Sequence, residues 1–525
     1  MHKVSKILAI LLIAFLSLYI LAEFSEHLEL VAPEKQLYRG KQPHAETSAP
    51  ANQDRRFALV IPATSPSPEL CKTMFSAIAL GYPSPVIINW GVDFHDLTHW
   101  ELGKNLPKIP GFVEYLDSVM HPNATHLEKL EEDDIVLMVD GYDVWFQLPP
   151  QVLLSRYHQI NKEANERLRK QWTKKEPMPM KQTIVVASQK KCYPANPDRF
   201  GVDLRCDQWP TSPLRADLYG PETDKNDTNP HDNRPRWING GMYIGPAGDM
   251  RRLFRRAKEK MDALLGEGLH AKSEQGMLGA IIGEQTVWRQ WQREHNTDSE
   301  LEDLVGKNLE FHVGVDYGQD ISAQTLLIRI SKEDDLDDGD FILLGNQTTI
   351  EQHSEAWGIS PARLNGVPDD IKTAPNPLTQ IERAANWSEM PLYTDFFLGS
   401  VPIILHHNKY KERRATWWDR PWYHRRLREL LTPNLRATEQ KEPLATVKLD
   451  EGRIRYWAAS AETTDRYPRM VGGLVNGTTY SRFSSVVLED TCRFQDREAD
   501  KYSKYSKEMW WEEVFRDGAG RFKPT

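Results

Sequence analysis

Two aspartates, Asp140 and Asp143, stand directly after a short apolar run, residues 135–139, and enclose a glycine that permits a turn. The run is rich in β-branched residues, which favours a buried parallel strand over a helix. Open α/β sheets bind ligands outside the carboxyl ends of their strands, where carboxylates can hold a divalent cation and, through it, phosphate oxygens. An isolated pair of this kind is more often a solvated acidic turn. The strand before the pair and the aromatic residues Trp145 and Phe146 after it favour a metal–nucleotide site.

Strands and helices alternate along the body of the chain. Apolar β-branched runs predict strands, and apolar residues that recur at helical spacing predict helices. Strands are predicted at residues 57–62, 85–90, 135–139, 183–188, 237–245, 311–316 and 402–408, and helices at 70–80, 151–172 and 250–265. This alternation indicates an α/β fold with a mostly parallel sheet and flanking helices.

An uncharged apolar segment, residues 7–22, lies near the N-terminus, with two lysines before it and acidic residues after it. The positive-inside rule therefore places the N-terminus in the cytosol. We predict a cytosolic tip and signal anchor (1–23), a polar stem (24–54) and a body in the lumen of the endoplasmic reticulum or Golgi. The segment is slightly shorter than the about 17–25 residues of a typical transmembrane helix, so a cleaved signal peptide and a secreted protein are the alternative.

Sequons and cysteines agree with a secretory compartment. The sequon asparagines are Asn123, Asn226, Asn346, Asn386 and Asn476. Four cysteines permit two disulfides, and Cys192–Cys206 is the favoured pair because it closes a local, proline-rich loop. Cys71 and Cys492 form a second disulfide or remain as buried thiols. The net charge of −9 and the lack of a basic stripe argue against nucleic acid as a partner.

A long excursion rich in proline, aspartate and asparagine, residues 192–236, precedes a strand that contains Asn239, Gly240 and Gly241. Loops of this length are usually functional lids or disordered insertions, and we predict that this one borders the acceptor. A glycine pair inside a strand indicates that another group approaches the backbone closely. Residues 239–241 are therefore candidates for the acceptor side of a site, with a β-bulge as the alternative.

The motifs and their order resemble those of a known family. The chain contains, in order over residues 55–414, strand-Pro-Ala-Thr, Ile-Asn-Trp, Val-Asp-Gly-Tyr-Asp-Val, Cys-Tyr-Pro, Ile-Asn-Gly-Gly-Met-Tyr-Ile-Gly, Glu-Gln and Leu-His-His-Asn. This order resembles the glycosyltransferase domain of procollagen lysyl hydroxylase/glucosyltransferases and of related collagen galactosyltransferases. The resemblance implies a GT-A, Rossmann-like domain that uses a UDP-sugar and Mn²⁺, followed here by a C-terminal extension (415–525). No H-x-D…H iron-binding motif follows, so collagen is not implied as the acceptor.

The resemblance also implies roles for individual residues. The metal ligands would be Asp140, Asp143 and His406. The donor-binding residues would be Thr64, Trp90 and Tyr142. Independently of the resemblance, Lys409 beside His406 would add positive charge to the diphosphate, and Asn408 is a further candidate for donor binding. His407 stands where the family has glycine. Without the resemblance, His406 and His407 are equally well explained as ordinary strand-end histidines, and Lys409 as part of a solvated basic loop.

Glu284 and Asp316 are the candidate catalytic carboxylates, because both follow the Gly-Gly strand, where an acceptor-side carboxylate is expected. Either one would be a general base in an inverting enzyme or would orient the acceptor in a retaining one. Glu284-Gln285 replaces an Asp-Gln pair of the family. A charge near a helix N-terminus explains Glu284 equally well.

These observations predict a metal-dependent glycosyltransferase of the secretory pathway. A divalent cation would neutralise the charge that develops on a UDP leaving group, and imidazole combined with carboxylates favours Mn²⁺ over Mg²⁺. The expected partners are a nucleotide-sugar donor, a glycoprotein or glycan acceptor and, through the anchor, a membrane. The alternatives are a nucleotide-sugar hydrolase with the same metal site and a catalytically inactive sugar-binding or scaffold protein.

Overall fold

The computed structural model describes most of the chain beyond residue 51. The described ranges are 52–92, 105–126, 128–194, 202–225, 230–268, 273–295, 308–327, 340–408, 411–436, 440–450, 452–459, 467–474, 481–495 and 509–523. They belong to one compact unit, Asn52–Thr525. The predicted anchor and nearly all of the predicted stem lie outside the described residues. Among the helices of the described ranges, none is long and apolar enough to cross a membrane.

Fifteen strands and eleven α-helices lie in the described ranges. The strands are β1 (Asn52–Pro62), β2 (Val86–Ile88), β3 (Ile135–Val139), β4 (Val144–Phe146), β5 (Ile184–Gln189), β6 (Trp237–Pro246), β7 (Val313–Val315), β8 (Ser322–Gln324), β9 (Phe341–Leu343), β10 (Pro391–Tyr393), β11 (Ile404–His406), β12 (Ala445–Leu449), β13 (Gly452–Ala458), β14 (Arg469–Leu474) and β15 (Ser481–Ser485). The helices are α1 (Pro68–Ala79), α2 (Lys108–Val119), α3 (Pro150–Gln171), α4 (Ala247–Gly266), α5 (Glu274–Glu294), α6 (Gln347–Ala356), α7 (Asp369–Lys372), α8 (Lys411–Trp417), α9 (Leu427–Arg436), α10 (Leu488–Cys492) and α11 (Trp510–Phe515).

The central sheet is mostly parallel, as the alternation of strands and helices predicted. Its main order is β15-β14-β2-β1-β3-β6-β5-β7, and β13, with β12 beside it, pairs with the first half of β1. Strand β1 is parallel to β2, β3 and β13, whereas β6 runs antiparallel to both of its neighbours. Strands β12–β15 come from the segment predicted as a C-terminal extension, and they are part of this sheet.

Both faces of the central sheet are covered, which explains the continuous apolar strands. Phe57, Leu59 and Ile61 of β1 belong to one core cluster, and Ala58 and Val60 belong to the other. All five residues of β3 are buried. Each large apolar side chain contributes about 1.5–3 kcal/mol when it is fully buried. This burial stabilises the parallel pairing of β1 with β3, which brings their carboxyl ends side by side.

A second, three-stranded sheet follows directly from the first. Strand β4 begins where the Asp140–Asp143 turn ends, and β11 lies between β4 and β8. In this sheet His406 pairs with Val144 on one side and with Gln324 on the other. The pairing brings a late segment of the chain to the turn after β3.

Two disulfides close the fold. Cys192 is bonded to Cys206, the pair favoured by the sequence. Cys71 of α1 is bonded to Cys492 of α10, so the second pair is a disulfide and not two thiols. The Cys71–Cys492 bond links an early helix to the C-terminal part of the chain.

Candidate metal centre

The two aspartates lie in a turn that is held by backbone contacts on three sides. The N–H of Asp140 donates to the carbonyl of Gly241 at 3.1 Å, and the N–H of His407 donates to the carbonyl of Asp143 at 2.7 Å. A Cβ atom on Gly141 would stand 2.6 Å from the carbonyl oxygen of Pro62. Only glycine therefore lets the turn pack directly on the end of β1.

Asp140, Asp143 and His406 form a group that is compatible with a divalent metal ion. Their ligand atoms all lie within 4.8 Å of one another. The Nε2 atom of His406 is 3.5 Å from Oδ2 of Asp140 and 3.5 Å from Oδ1 of Asp143. His406 is only 3% exposed, and its Nε2 makes no hydrogen bond within the described part of the chain. A buried nitrogen without a partner that faces two carboxylates fits a metal ligand.

Asn239 sets the orientation of the His406 ring. Its Oδ1 accepts hydrogen bonds from the N–H of Gly241 at 2.9 Å and from Nδ1 of His406 at 3.1 Å, while its Nδ2 donates to Gln189 at 3.1 Å. Because Asn239 accepts at Oδ1, the Nδ1 of His406 carries a hydrogen, and Nε2 is the nitrogen that faces the aspartates. A hydrogen-bonded second nitrogen is the usual arrangement for a metal-ligating histidine.

The electrostatics of the group are those of a site that attracts a cation. Burial alone would lower the pKa of His406, but the negative charges of Asp143 and Asp140 outweigh burial and raise it to about 9. Burial alone would raise the pKa of Asp140, but the charge of Lys108 and the contact with His406 hold it well below its usual range. Near neutral pH His406 therefore carries a proton on Nε2, and this proton must leave before Nε2 can ligate a metal ion.

Metal binding is expected to release this proton, so the affinity for a divalent metal ion should depend on pH. Below the His406 pKa of about 9, the metal must displace the proton, and the affinity should rise about tenfold per pH unit between pH 6 and 8. Isothermal titration calorimetry in buffers of different ionisation enthalpy measures both the affinity and the number of protons released. An affinity that is constant over this range would contradict the assignment of His406 as a ligand.

Glu274 is a further buried carboxylate beside this group. It begins helix α5, directly after the N-cap residue Ser273. The Nζ of Lys108 bridges the two acidic groups, at 2.5 Å from Oδ1 of Asp140 and 2.9 Å from Oε1 of Glu274. The Oε2 of Glu274 makes no hydrogen bond among the described residues, and burial raises the pKa of this carboxyl although Lys108 opposes the increase.

The structure does not bring Glu284 into contact with this group. Its carboxylate pairs with Lys260 at 2.5 Å and with Arg256 at 3.4 Å, both on helix α4. The sequence holds a Glu-Gln pair at 274–275 as well as at 284–285. The pair at 274–275 follows the N-cap serine and begins helix α5. It is the pair that lies beside Lys108 and Asp140, and its position at a helix start is the feature by which the sequence could have distinguished it from the pair at 284–285.

The other candidate catalytic residue, Asp316, is fully buried and organises a loop. Its carboxylate accepts hydrogen bonds from the backbone N–H groups of Asp320, Ile321 and Ser322, at 3.1, 2.8 and 3.2 Å. Burial raises the pKa of this carboxyl to about 7. These contacts direct Asp316 to the backbone that leads into β8, and they account for its burial without a ligand.

The glycine pair in β6 allows the side chains of the site to approach the backbone. A Cβ atom on Gly241 would stand 2.2 Å from the His406 ring, and one on Gly240 would stand 2.6 Å from Oε1 of Glu274. The pairing of β6 with β5 is also irregular in this region. The close approach expected from the sequence is thus made by protein side chains of the site.

Three of the predicted donor-binding residues lie together beside the metal centre. The hydroxyl of Tyr142 accepts from the N–H groups of Thr64 and Ser65, each at 3.0 Å, and donates to the carbonyl of Ser65 at 2.9 Å. The N–H of Gly91, next to Trp90, donates to the carbonyl of Thr64 at 3.0 Å. Tyr142 therefore ties the turn between the aspartates to the loop after β1.

The remaining two predicted donor-binding residues are Asn408 and Lys409. Oδ1 of Asn408 accepts from the backbone N–H of Leu326 at 3.2 Å, which ties the segment after β11 to the segment after β8. Lys409 lies outside the described residues.

The excursion from Cys192 to Arg236 adjoins the site at its beginning. Gln275, next to Glu274, accepts from the N–H of Gly240 at 2.9 Å and donates to the carbonyl of Tyr193 at 2.8 Å. The Tyr193 side chain is 41% exposed. The described parts of the excursion are packed and contain the buried residues Trp209, Leu218 and Tyr219.

Three of the sequon asparagines lie in the described ranges, and all three are exposed. They are Asn123, Asn346 and Asn386. Asn346 and Asn386 are also helix N-caps, whose side chains accept backbone hydrogen bonds. Asn226 and Asn476 lie outside the described residues.

No protein-family model matches this chain, and none of the curated proteins matches it. The function of this protein is therefore inferred from the chemistry of the residues in this site.

Proposed function

We propose that this protein is a metal-dependent glycosyltransferase that moves a sugar from a UDP-linked donor to a hydroxyl of a protein or glycan. One observation carries the proposal: the Asp140–Asp143–His406 group, with an unpartnered Nε2 of His406, lies at the carboxyl edge of a mostly parallel sheet. This is the edge at which open α/β sheets bind nucleotides. A GT-A type of fold agrees with this placement.

The residues around the Asp140–Asp143–His406 group fit a nucleoside diphosphate. A divalent ion held by Asp140, Asp143 and His406 supplies positive charge to the diphosphate leaving group, and a mixed imidazole and carboxylate shell favours Mn²⁺. Thr64 and the aromatic residues Trp90 and Tyr142 are half-buried beside the group, and aromatic rings of this kind suit stacking on a uridine.

Glu274 is the carboxylate best placed to accept a proton from the acceptor hydroxyl. In the transfer, the bond between the sugar C1 and the phosphate oxygen breaks, and UDP leaves with the bonding electrons. A bond forms between C1 and the acceptor oxygen, whose proton Glu274 accepts in an inverting reaction. A raised pKa suits a general base near neutral pH. Lys108 limits the repulsion between Glu274 and Asp140.

The acceptor is proposed to enter along the start of the excursion. Gln275 links the site to Tyr193, whose exposed ring offers an aromatic face for stacking on a sugar or a peptide. The acceptor side would then lie next to Glu274.

Release of UDP with and without acceptor tests the proposal at fixed Mn²⁺ concentration. We expect saturable binding of at least one UDP-sugar in a panel. UDP release should increase about tenfold or more when an acceptor is added, because a bound acceptor holds its hydroxyl next to the sugar C1, whereas hydrolysis depends on attack by a water molecule that is not held there. Release that is independent of acceptor would indicate a hydrolase. The absence of both binding and release would indicate a scaffold or sugar-binding protein and would contradict the proposal.

We further propose that the body of the protein is luminal, as a type II membrane protein of the endoplasmic reticulum or Golgi. Two disulfides and exposed sequons support an oxidising secretory compartment. Treatment with an N-glycosidase should then increase its electrophoretic mobility, and an unchanged mobility would count against this location.

A further inference from the structure

Arg414 contacts the metal-binding turn between its two aspartates. Its guanidinium Nη1 donates to the carbonyl oxygen of Tyr142, the residue before Asp143. The same nitrogen lies 3.7 Å from Oε2 of Glu69, at the start of α1. The Arg414 side chain is 12% exposed, so it acts in a partly buried environment, where a charge-assisted hydrogen bond is stronger than at the surface.

Lys72 continues this line of contacts into the C-terminal part of the chain. Its Nζ lies 2.7 Å from Oε1 of Glu69 and 2.7 Å from Oε1 of Glu513. Its side chain has no solvent exposure, and that of Glu513 has 6%. Glu513 belongs to helix α11, more than four hundred residues later in the chain.

The four charges alternate in sign and are largely shielded from water. Each buried charge depends on its neighbours, because an uncompensated charge in such a place is costly. Lys72 is thus shared between Glu69 and Glu513, and Glu513 also pairs with Arg516 at 3.3 Å. Oε2 of Glu69 in turn lies 3.7 Å from the guanidinium nitrogen of Arg414 that donates to the carbonyl of Tyr142.

We infer that Glu513 and Arg414 are positioning residues of the metal centre. Glu513, through Lys72 and Glu69, holds Arg414 in place, and Arg414 holds the turn in which Asp140 and Asp143 face His406. The C-terminal helix α11 is thus a functional part of the donor site. This inference rests on the proposed metal centre and extends it to residues that touch neither metal nor substrate.

Direct Mn²⁺ binding to the full chain, measured by electron paramagnetic resonance of the free ion, provides the test. Arg414→Gln and Glu513→Gln should each weaken Mn²⁺ binding by about tenfold or more, as is typical when groups that support metal ligands are removed. Because both act through one line of contacts, the double variant should bind about as weakly as Arg414→Gln alone. Arg414→Lys should restore part of the affinity.

Arg428→Gln is the matched control. Arg428 also anchors the C-terminal segment, through Asp517 and the carbonyl of Gly520, but it lies outside the line of contacts that reaches Tyr142. It should lower the thermal unfolding midpoint and leave Mn²⁺ affinity unchanged. If Glu513→Gln lowers the unfolding midpoint but binds Mn²⁺ like the wild type, or if the effects of the two single variants multiply, the inference is wrong. If the wild-type protein itself fails to bind Mn²⁺, the proposed metal centre is wrong.

Discussion

Replacement of Asp140 or Asp143 by asparagine is expected to lower sugar transfer on the order of a thousandfold, because a metal ion supplies several kcal/mol of stabilisation to the departing diphosphate. Each substitution removes one charged ligand from a three-residue group whose atoms lie within 4.8 Å of one another. The asparagine has the same shape, so the turn itself should persist. The measurements are UDP release at saturating donor and Mn²⁺ affinity by calorimetry.

Asp133→Asn is the control for this experiment. Asp133 stands just before the amino end of β3, and its side chain is 79% exposed. Its replacement should leave both Mn²⁺ binding and transfer at the level of the wild type. Full activity of Asp140→Asn or Asp143→Asn, in protein with an unchanged unfolding midpoint, would refute the metal assignment.

Glu274→Gln is expected to lower transfer by about 10²–10⁴-fold, the usual contribution of a general base or acid. Glutamine keeps an oxygen for the contact with Lys108 but does not accept the proton of the acceptor hydroxyl. Binding of Mn²⁺ and of UDP should be retained, since the three proposed metal ligands are unchanged. The loss should therefore appear in the turnover number, with little change in donor affinity.

Glu284→Gln distinguishes the two Glu-Gln pairs. Its carboxylate joins two helices through Lys260 and Arg256, so its replacement should reduce stability slightly and leave transfer close to the wild type. If Glu284→Gln abolishes transfer while Glu274→Gln does not, the original expectation from the sequence is correct and the proposed role of Glu274 is wrong.

Local patterns predicted the elements that carry the aspartates. Strand β3 begins at Ile135 and ends at Val139, as predicted, because a short apolar run bounded by acidic residues leaves little freedom in its ends. Helix boundaries agree less closely. The predicted helix at residues 250–265 is observed as Ala247–Gly266, since helix ends depend on capping contacts as well as on periodicity.

In the C-terminal part of the chain, beyond residue 414, local sequence patterns did not predict how the strands pair. Beyond residue 414 the sequence predicted only an extension, whereas β13 pairs in parallel with the first half of β1 and β14 pairs with β2. Strand β13 has seven residues, and those in its middle alternate between buried and exposed. Nothing in such a strand indicates its partner, because parallel pairing joins segments that are distant in the chain.

The sequence by itself determined the pair of aspartates at the end of a buried strand, because hydrophobic burial and the glycine turn are local properties. It also identified His406, but only through a resemblance. The tertiary structure decided that the orphaned Nε2 of His406 faces both aspartates, since this depends on the pairing of β11 with β4. It likewise decided that Glu274, and not Glu284, contacts Lys108: ten residues along a helix correspond to about 15 Å, and the helix packing alone determines which end meets Lys108.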